Sequence, residues 1–462
     1  MVFSSIDFLL KFLPPFLAAY YFCPVNWRKL LLLGASLCFY TVGAWETPWD
    51  IALLLGLGVL NFGAGLLMEK GESRKKLIAS LAVLLDMGIL FAFKYAGFFA
   101  ESINALAGKE LLAAWYPQLP LGISFYTFML VGYIADVCAG RAKAETNVFG
   151  FLCYVTFFPK LTSGPITSYG ELNSQLKLPR IKKEMVEEGI RLFVFGMFLK
   201  LFMADQIGHL WSDINAIGFE SVSCALAWLG LLGYSLQLYF DFWGYSLMAV
   251  GLGQLLGIQL PRNFESPYMS LSMTEFWRRW HMTLGTWFKT YIYFPLGGNR
   301  KGKGRTYLNM LCVWLFTGLW HGASWNFLLW GLSLFLLMAI ERLGLKNWLE
   351  KHPAKARIYM LFSLLLTWMV FAIEDVSRIG LYLCRLIGLK GENIFLGDIV
   401  KYGKMYWWLL LIGVILSTDL PEKVYVKYKD RKWMWAPVAA AACLCGFLLY
   451  KGANDPFMYF RF

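Results

Sequence analysis

The sequence contains few charged residues. Only 16% of its 462 residues are Asp, Glu, Lys or Arg, whereas a soluble globular protein carries about 25%. Apolar residues make up 58% of the chain, and Phe, Tyr and Trp together supply 18%. This composition excludes an ordinary soluble domain and is typical of an integral membrane protein whose chain lies almost wholly in the bilayer.

Several motifs of common enzymes are absent from the sequence. There is no G-x-x-x-x-G-K-[ST], no G-x-S-x-G and no H-E-x-x-H, which speaks against P-loop ATPases, α/β-hydrolases and zincins. The nine cysteines form no C-x-x-C pair and lie mostly in apolar stretches. We therefore expect neither a disulfide framework nor a metal site.

The net charge of +13 arises from short basic clusters between apolar runs. Such clusters are typical of the cytoplasmic loops of membrane proteins, so no nucleic acid partner is expected. If all of them are cytoplasmic, both termini lie outside and the chain crosses the bilayer roughly twelve times. The clusters are Arg28–Lys29, Arg74–Lys76, Lys177–Lys183, Arg300–Arg305, Lys346–Arg357 and Lys423–Lys432.

Not every apolar run is long enough to span a bilayer, which takes about 20 residues. The run 149–158 is short and stops at Pro159-Lys160, so it is interpreted as a re-entrant hairpin. The run 225–256 is long enough to be tilted or broken. The sequence shows no internal repeat and no soluble domain of useful size.

Nearly fifty residues between Gly257 and Arg305 are too polar and too interrupted to span. Aromatic residues are interleaved there with arginine, as in Phe276-Trp277-Arg278-Arg279-Trp280-His281. This pattern favours helices that lie in the cytoplasmic interface. A loop of this length is tolerated at membrane depth only where protein or a water-filled cavity surrounds it. We therefore place a candidate active site in this stretch.

A second polar break, Trp320-His321-Gly322-Ala323-Ser324-Trp325-Asn326, interrupts the apolar run 307–340. Both flanks of the run are basic and should be cytoplasmic. Each limb would then reach only about 25 Å into a hydrocarbon core of about 30 Å. The sequence predicts a hairpin that carries His321 deep into the membrane, where polar side chains are costly and usually functional.

Two of the four histidines, His281 and His321, are candidates for chemistry. Either ring could instead be a structural histidine whose nitrogens are satisfied by neighbours. An imidazole with a pKa of about 6.5 can also act as a general base at neutral pH. Forty residues separate the two, so only the fold could bring them together. His209 and His352 are interpreted as interfacial and loop residues.

The sequence around these two histidines resembles the paired signature of the membrane-bound O-acyltransferase (MBOAT) family. The signature corresponds here to residues 276–284, FWRRWHMTL, and 320–326, WHGASWN. Other blocks are similar to the bacterial alginate and peptidoglycan O-acetylase branch, which is related to the teichoic acid D-alanyl transferase. These blocks are 1–5, 120–128, 157–166, 239–246 and 455–462, so the resemblance covers essentially the whole chain.

The resemblance implies an all-α polytopic membrane protein. Its MBOAT fold would be a ring of about 11–12 tilted transmembrane helices around a thin central region with re-entrant segments. Residues 1–462 would form a single integral-membrane acyltransferase domain, with the catalytic core at 257–326. By the same resemblance, His321 and His281 match the family's two histidines and are expected to be catalytic.

The resemblance also implies the reactants and partners. The donor would be a cytoplasmic thioester, either acetyl-CoA or the phosphopantetheine thioester of an acyl carrier protein, and no cofactor would be bound permanently. An extracytoplasmic acyltransferase of the SGNH type would be the expected partner. The protein would then be a multi-pass protein of the bacterial cytoplasmic (inner) membrane.

Several residues near the histidines are candidates for substrate binding. Arg278 and Arg279, with Lys289 and the cluster 300–305, could form a basic collar at the donor entrance, and Trp280 lies beside them. Positive-inside topology would explain the cluster 300–305 equally well. Trp320, Trp325 and Asn326 would line a constriction next to His321, or else serve as ordinary packing and hydrogen-bonding residues.

Three functions are compatible with the sequence. The leading hypothesis is an O-acyltransferase that supplies acetyl groups to a cell-surface polysaccharide or exopolysaccharide. The second is D-alanyl transfer to teichoic acid from a carrier-protein thioester. A third, of another class, is a transporter or scaffold of a glycan-export complex, but the paired broken helices typical of transporter repeats are absent.

Overall fold

A computed structural model of the chain describes residues 2–177, 179–389, 397–452, 455 and 458. These residues form helices joined by loops, and no strand occurs among them. The expected all-α membrane fold class is therefore confirmed. Met1 of the first sequence block, and the last block apart from Asp455 and Met458, lie outside the described residues.

The described residues contain 22 α-helices, which we number in chain order. They are α1 Leu13–Phe22, α2 Val25–Gly43, α3 Trp49–Lys70, α4 Lys75–Lys94, α5 Ala96–Ala107, α6 Ile123–Cys138, α7 Val148–Thr156, α8 Phe158–Leu161, α9 Tyr169–Lys177, α10 Lys183–Phe198, α11 Asp205–Ile217, α12 Cys224–Leu255, α13 Met273–Arg279, α14 Met282–Phe288, α15 Lys303–His321, α16 Trp325–Ile340, α17 Lys346–Lys351, α18 Pro353–Ala372, α19 Val376–Leu386, α20 Gly397–Leu416, α21 Leu420–Tyr428 and α22 Trp435–Tyr450. Short π-helical segments adjoin some of them at Asp7–Phe12, Leu199–Ala204, Lys289–Tyr293 and Glu341–Leu345.

Six helical segments among the described residues are long and apolar enough to cross a membrane. They are Trp49–Lys70, Glu72–Lys94, Trp325–Lys351, Pro353–Ala372, Gly397–Leu416 and Lys432–Tyr450. The run 225–256 is a single unbroken helix, α12, of 32 residues. At about 48 Å, α12 exceeds the thickness of the hydrocarbon core, which favours a tilt. The expected total of roughly twelve crossings stays a prediction.

The chain divides into two compact units, each built from separate stretches of sequence. The first unit comprises Met1–Phe193 and Tyr245–Arg262, and the second comprises Val194–Gly244 and Asn263–Phe462. Almost all of the expected catalytic core, from Asn263 onward, belongs to the second unit. The assignment of residues 1–462 to one acyltransferase domain stays a prediction.

The first unit contains the short segment for which a re-entrant hairpin is predicted, and its placement in the membrane stays a prediction. α7 has nine residues and α8 has four, with a change of direction at Phe157. A nine-residue helix is only about 14 Å long, too short to cross the hydrocarbon core. The segment is completely buried around Phe158, whose ring centroid lies 5.5 Å from those of Phe12 and Phe39.

A buried ionic cluster holds the second unit together. Lys200 Nζ lies 2.5 Å from Asp205 Oδ1 and 2.9 Å from Asp241 Oδ1, and all three side chains are at most 4% exposed. The other carboxylate oxygens accept backbone hydrogen bonds from the end of the chain. Met458 N donates to Asp241 Oδ2 at 2.8 Å, and Asp455 N donates to Asp205 Oδ2 at 3.4 Å. The buried lysine is thus compensated, as membrane charges require.

Candidate active site

His321 lies at the end of a tight helical hairpin. It is the last residue of α15, and α16 begins four residues later. Added Cβ atoms on Gly318 and Gly331 would lie 2.3 Å from the Phe327 carbonyl oxygen and 2.4 Å from the Trp314 carbonyl oxygen, respectively. The two antiparallel backbones are therefore in direct contact, which glycine alone permits at these positions. The predicted hairpin and its break after His321 are confirmed.

Aromatic rings surround the His321 side chain, which is 3% exposed. Its ring centroid lies 4.9 Å from that of Trp320, 5.0 Å from Trp330 and 5.3 Å from Phe371. All three contacts are edge-to-face. This packing restricts rotation of the imidazole and excludes bulk water, two conditions that favour a well-oriented base.

His281 has an unusual backbone conformation. Its φ is +43° and its ψ is +53°, so it is one of two non-glycine residues with positive φ among those described, the other being Ser266. Residues other than glycine uncommonly adopt this left-handed conformation, although Asn, Asp and His do so more often than the rest, and strained backbone clusters at functional sites. The His281 side chain is 2% exposed and lies edge-on to Phe242, at 4.6 Å between ring centroids.

Asn263 braces the strained turn at His281. Its carbonyl oxygen accepts a hydrogen bond from Met282 N at 3.0 Å. Its side-chain Oδ1 accepts hydrogen bonds from Thr283 Oγ1 at 2.7 Å and from Thr283 N at 3.3 Å. Asn263 therefore accepts three hydrogen bonds from Met282 and Thr283, which fix the backbone immediately after His281. These bonds offset the cost of the left-handed conformation.

The two histidines border the same cavity, which encloses about 220 Å³. Trp320 lies between them, with its ring centroid 5.8 Å from that of His281 and 4.9 Å from that of His321. The other lining residues are Thr274, Trp277, Arg278, Trp280, Leu284, Gly285, Phe288, Lys289, Tyr293, Val313, Trp314, Thr317 and Met338. The fold thus brings together two imidazoles that are forty residues apart in sequence.

Burial affects the protonation of His281. Burial lowers the pKa of His281 from 6.5 to about 3, so this ring stays neutral at physiological pH. A base with such a low pKa takes up a proton poorly at pH 7. A ring that stays neutral suits a hydrogen-bonding or orienting role for His281 better than that of a base.

Some of the predicted substrate-binding residues lie at this cavity or beside its histidines. Arg278 and Trp280 line it, as does Lys289 from the predicted basic collar. Trp320 is 5% exposed and contacts both histidine rings. The cavity therefore combines an aromatic wall with two basic side chains, a combination that suits a long donor with phosphate groups.

Three other predicted substrate-binding residues lie elsewhere. Arg279 is not among the lining residues, and its Nη2 forms an ion pair with Glu275 Oε1 at 2.6 Å. Trp325 is 55% exposed at the start of α16. Asn326 is fully buried, and its Nδ2 donates to the Phe371 carbonyl oxygen at 3.1 Å. Residues 300–305 are all exposed and do not line the cavity.

Sequence reasoning missed several residues of the site. Trp314 and Thr317 line the cavity seven and four positions before His321. They occupy the same face of α15 as His321, so helical periodicity could have identified them. Asn263 could not be found in this way, because it acts through hydrogen bonds to residues 19 and 20 positions later.

These features define a polytopic membrane enzyme with two buried imidazoles at an aromatic cavity. Residues 140–383, which include both histidines, match the membrane-bound O-acyltransferase family, MBOAT. The chain belongs to this family, and it is therefore a membrane-bound O-acyltransferase.

The chain is similar to bacterial proteins that act on different polymers. It is 39% identical over 383 residues to a probable alginate O-acetylase of Pseudomonas putida, covering 81% of this chain and 78% of the relative. It is 29% identical to a peptidoglycan O-acetyltransferase of Helicobacter pylori, covering 100% of this chain and 98% of the relative. A teichoic acid D-alanyltransferase of Bacillus subtilis is 29% identical, covering 69% of this chain and 77% of the relative.

Proposed function

We propose that this protein takes an acetyl group from a cytoplasmic thioester and delivers it across the bacterial cytoplasmic membrane for O-acetylation of a cell-surface polysaccharide. In this mechanism His321 accepts a proton from the attacking hydroxyl, and His281 orients the reacting groups. The hydroxyl oxygen bonds to the thioester carbonyl carbon, the carbon–sulfur bond breaks, and the thiol leaves with the proton. The protein acts with no permanently bound cofactor or metal.

One observation carries this proposal: both histidines face a single aromatic cavity that also presents Arg278 and Lys289. The imidazoles supply acid–base chemistry, and the basic side chains suit the phosphates of coenzyme A. Similarity to O-acetylases that act on alginate and peptidoglycan supports polysaccharide as the acceptor. An extracytoplasmic SGNH-type acyltransferase would complete delivery to the polymer.

D-alanyl transfer to teichoic acid is the second candidate. Similarity to a teichoic acid D-alanyltransferase supports it, and an acidic carrier protein would also be attracted to basic side chains. The higher identity to alginate O-acetylases, 39% against 29%, favours acetyl transfer.

The purified protein in nanodiscs should release coenzyme A from acetyl-CoA, and radiolabelled acetyl should appear on protein or on an added glycan acceptor. A D-alanyl-loaded carrier protein is the competing donor, and nanodiscs that hold His321→Ala are the blank. Turnover of the carrier thioester with no turnover of acetyl-CoA would contradict the acetyl assignment. Turnover of neither donor would contradict both candidates.

We expect donor binding to weaken when the positive charges of Arg278 and Lys289, which form the basic mouth of the cavity, are removed. Arg278→Gln combined with Lys289→Gln should raise the KM for acetyl-CoA about three- to tenfold, because two partly exposed charges each contribute a modest contact. The difference in KM between the double variant and the wild type should shrink with added salt. Salt screens the attraction between the donor phosphates and the two basic side chains of the wild type. Initial-rate kinetics at 20 and 300 mM salt would measure it.

Arg279→Gln is the matched control for this prediction. The residue is adjacent and of the same type, but it pairs with Glu275 and does not line the cavity. We expect its donor KM to stay within twofold of the wild type. An equal rise in KM for Arg279→Gln would mean that net surface charge, and not the cavity mouth, attracts the donor.

A further inference from the structure

A buried carboxylate outside the cavity binds the start of the helix that leads to His281. Glu341 is 1% exposed and follows α16, the return limb of the His321 hairpin. Its Oε1 accepts a hydrogen bond from Met273 N at 2.6 Å. Its Oε2 accepts hydrogen bonds from Thr274 N at 2.9 Å and from Thr274 Oγ1 at 2.5 Å. One carboxylate therefore links two segments that are 68 residues apart.

These hydrogen bonds satisfy a need of α13. The first N–H groups of any helix have no partner within the helix and attract negative charge. Ser272 caps α13 locally, because its side chain accepts a hydrogen bond from Glu275 N at 3.1 Å. The Glu341 carboxylate accepts hydrogen bonds from the Met273 and Thr274 N–H groups. Such charge-assisted hydrogen bonds are about twice as strong as neutral ones. The start of α13 is therefore bound to the residue that directly follows α16, and we call this contact the seating of α13.

The next residue, Arg342, contacts the segment that follows the lining residue Tyr293. Its Nη2 donates to Asn299 Oδ1 at 3.3 Å. The same Asn299 oxygen accepts a hydrogen bond from Tyr293, which lines the cavity. Met338, one helical turn before Glu341, lines the cavity as well. Glu341 and Arg342 thus contact two separate segments that contribute lining residues to the cavity. These are the start of α13, with Thr274, and the stretch 293–299, with Tyr293.

We propose that Glu341 is a positioning residue that fixes the mouth of the cavity. Its carboxylate seats α13, which carries Trp277 and Arg278 into the cavity wall and leads directly into the left-handed turn at His281. The contact therefore sets the position of the donor site relative to the His321 hairpin. This proposal rests on the proposed function, because the donor site is defined by that reaction.

Glu341→Gln should lower kcat about 10²-fold, because a displacement of about 1 Å in a reacting pair costs that much. The donor KM should change less than threefold, since the basic side chains at the mouth remain. Glu341→Asp keeps the carboxylate, so its kcat should be at least tenfold higher than that of Glu341→Gln. Rates are expressed per donor site titrated with coenzyme A, so that unfolded protein does not count.

Hydrogen–deuterium exchange tests the contact without relying on activity. In Glu341→Gln the amides of Met273 and Thr274 should exchange at least tenfold faster than in the wild type. Glu275→Gln is the matched control, because Glu275 contacts Leu271 N and Arg279 within its own segment. It should leave the exchange of both amides and the kcat near wild-type values.

Each result decides a separate point. Wild-type exchange at Met273 and Thr274 in Glu341→Gln would overturn the contact between Glu341 and the start of α13. Faster exchange with unchanged kcat per titrated site would overturn the positioning role. If the wild type transfers no acetyl group from acetyl-CoA, the proposed function fails, while the exchange measurement still decides whether Glu341 seats α13.

Discussion

Replacement of His321 by alanine should lower the rate of acyl transfer about 10²- to 10⁴-fold, the usual contribution of a general base. The imidazole lies at the end of α15, borders the cavity and is held edge-on by Trp320, Trp330 and Phe371. His281 is the other imidazole among the side chains that line this cavity. The measurement is acetyl release from acetyl-CoA per titrated donor site.

The control for His321→Ala is His209→Ala. His209 is exposed on α11 and does not line the cavity. Both variants should insert into the membrane and elute as the wild type does on size-exclusion chromatography. His209→Ala should retain full activity. A His321→Ala protein within twofold of the wild-type rate would mean that another group removes the proton from the acceptor.

Replacement of His281 by asparagine should lower acyl transfer about 10²-fold while preserving the fold. Asparagine tolerates the left-handed backbone at φ +43°, so the turn braced by Asn263 should persist. The variant removes the imidazole from the cavity wall and keeps a polar side chain. Steady-state kcat and the thermal unfolding temperature would separate a chemical effect from a structural one. Wild-type kcat in His281→Asn would leave His281 a purely structural role.

The same variant should also change the pH dependence of stability. The buried His281 takes up a proton only near pH 3, whereas in the unfolded chain it does so near its ordinary pKa of 6.5. As the pH falls below about 6.5 the unfolded state binds the extra proton, so the wild type loses stability. His281→Asn should show a smaller drop in unfolding temperature between pH 7 and pH 4.5. An identical drop in both proteins would contradict burial of a neutral imidazole.

The sequence predicts the hairpin at His321 because its signals are local. A polar break within an apolar run, with basic residues on both flanks, suffices to place α15, α16 and the turn between them. The same applies to the short helices α7 and α8. In each case a few adjacent residues determine whether the segment can cross the hydrocarbon core.

The sequence cannot predict contacts that depend on tertiary packing. Asn326 is polar and lies beside the catalytic block, yet its amide binds the end of α18. Glu341 occurs in an ordinary Glu-Arg pair, yet its carboxylate binds Met273 and Thr274. Neither spacing nor composition reveals which backbone groups lack a hydrogen-bond partner in their own helix and lie close enough for these side chains to bind. The residues that position this site are therefore found only once the helices are packed.

The ionic cluster of Lys200, Asp205 and Asp241 has a consequence for biogenesis. Its contacts with Met458 and Asp455 span 217 and 250 residues, respectively. At about 5–20 residues per second, a ribosome needs on the order of 10–40 s to travel from Asp241 to Met458. During that interval the carboxylates of Asp205 and Asp241 lack these two backbone hydrogen bonds. The cluster therefore acquires its full set of contacts only after α11 and α12 have been synthesised.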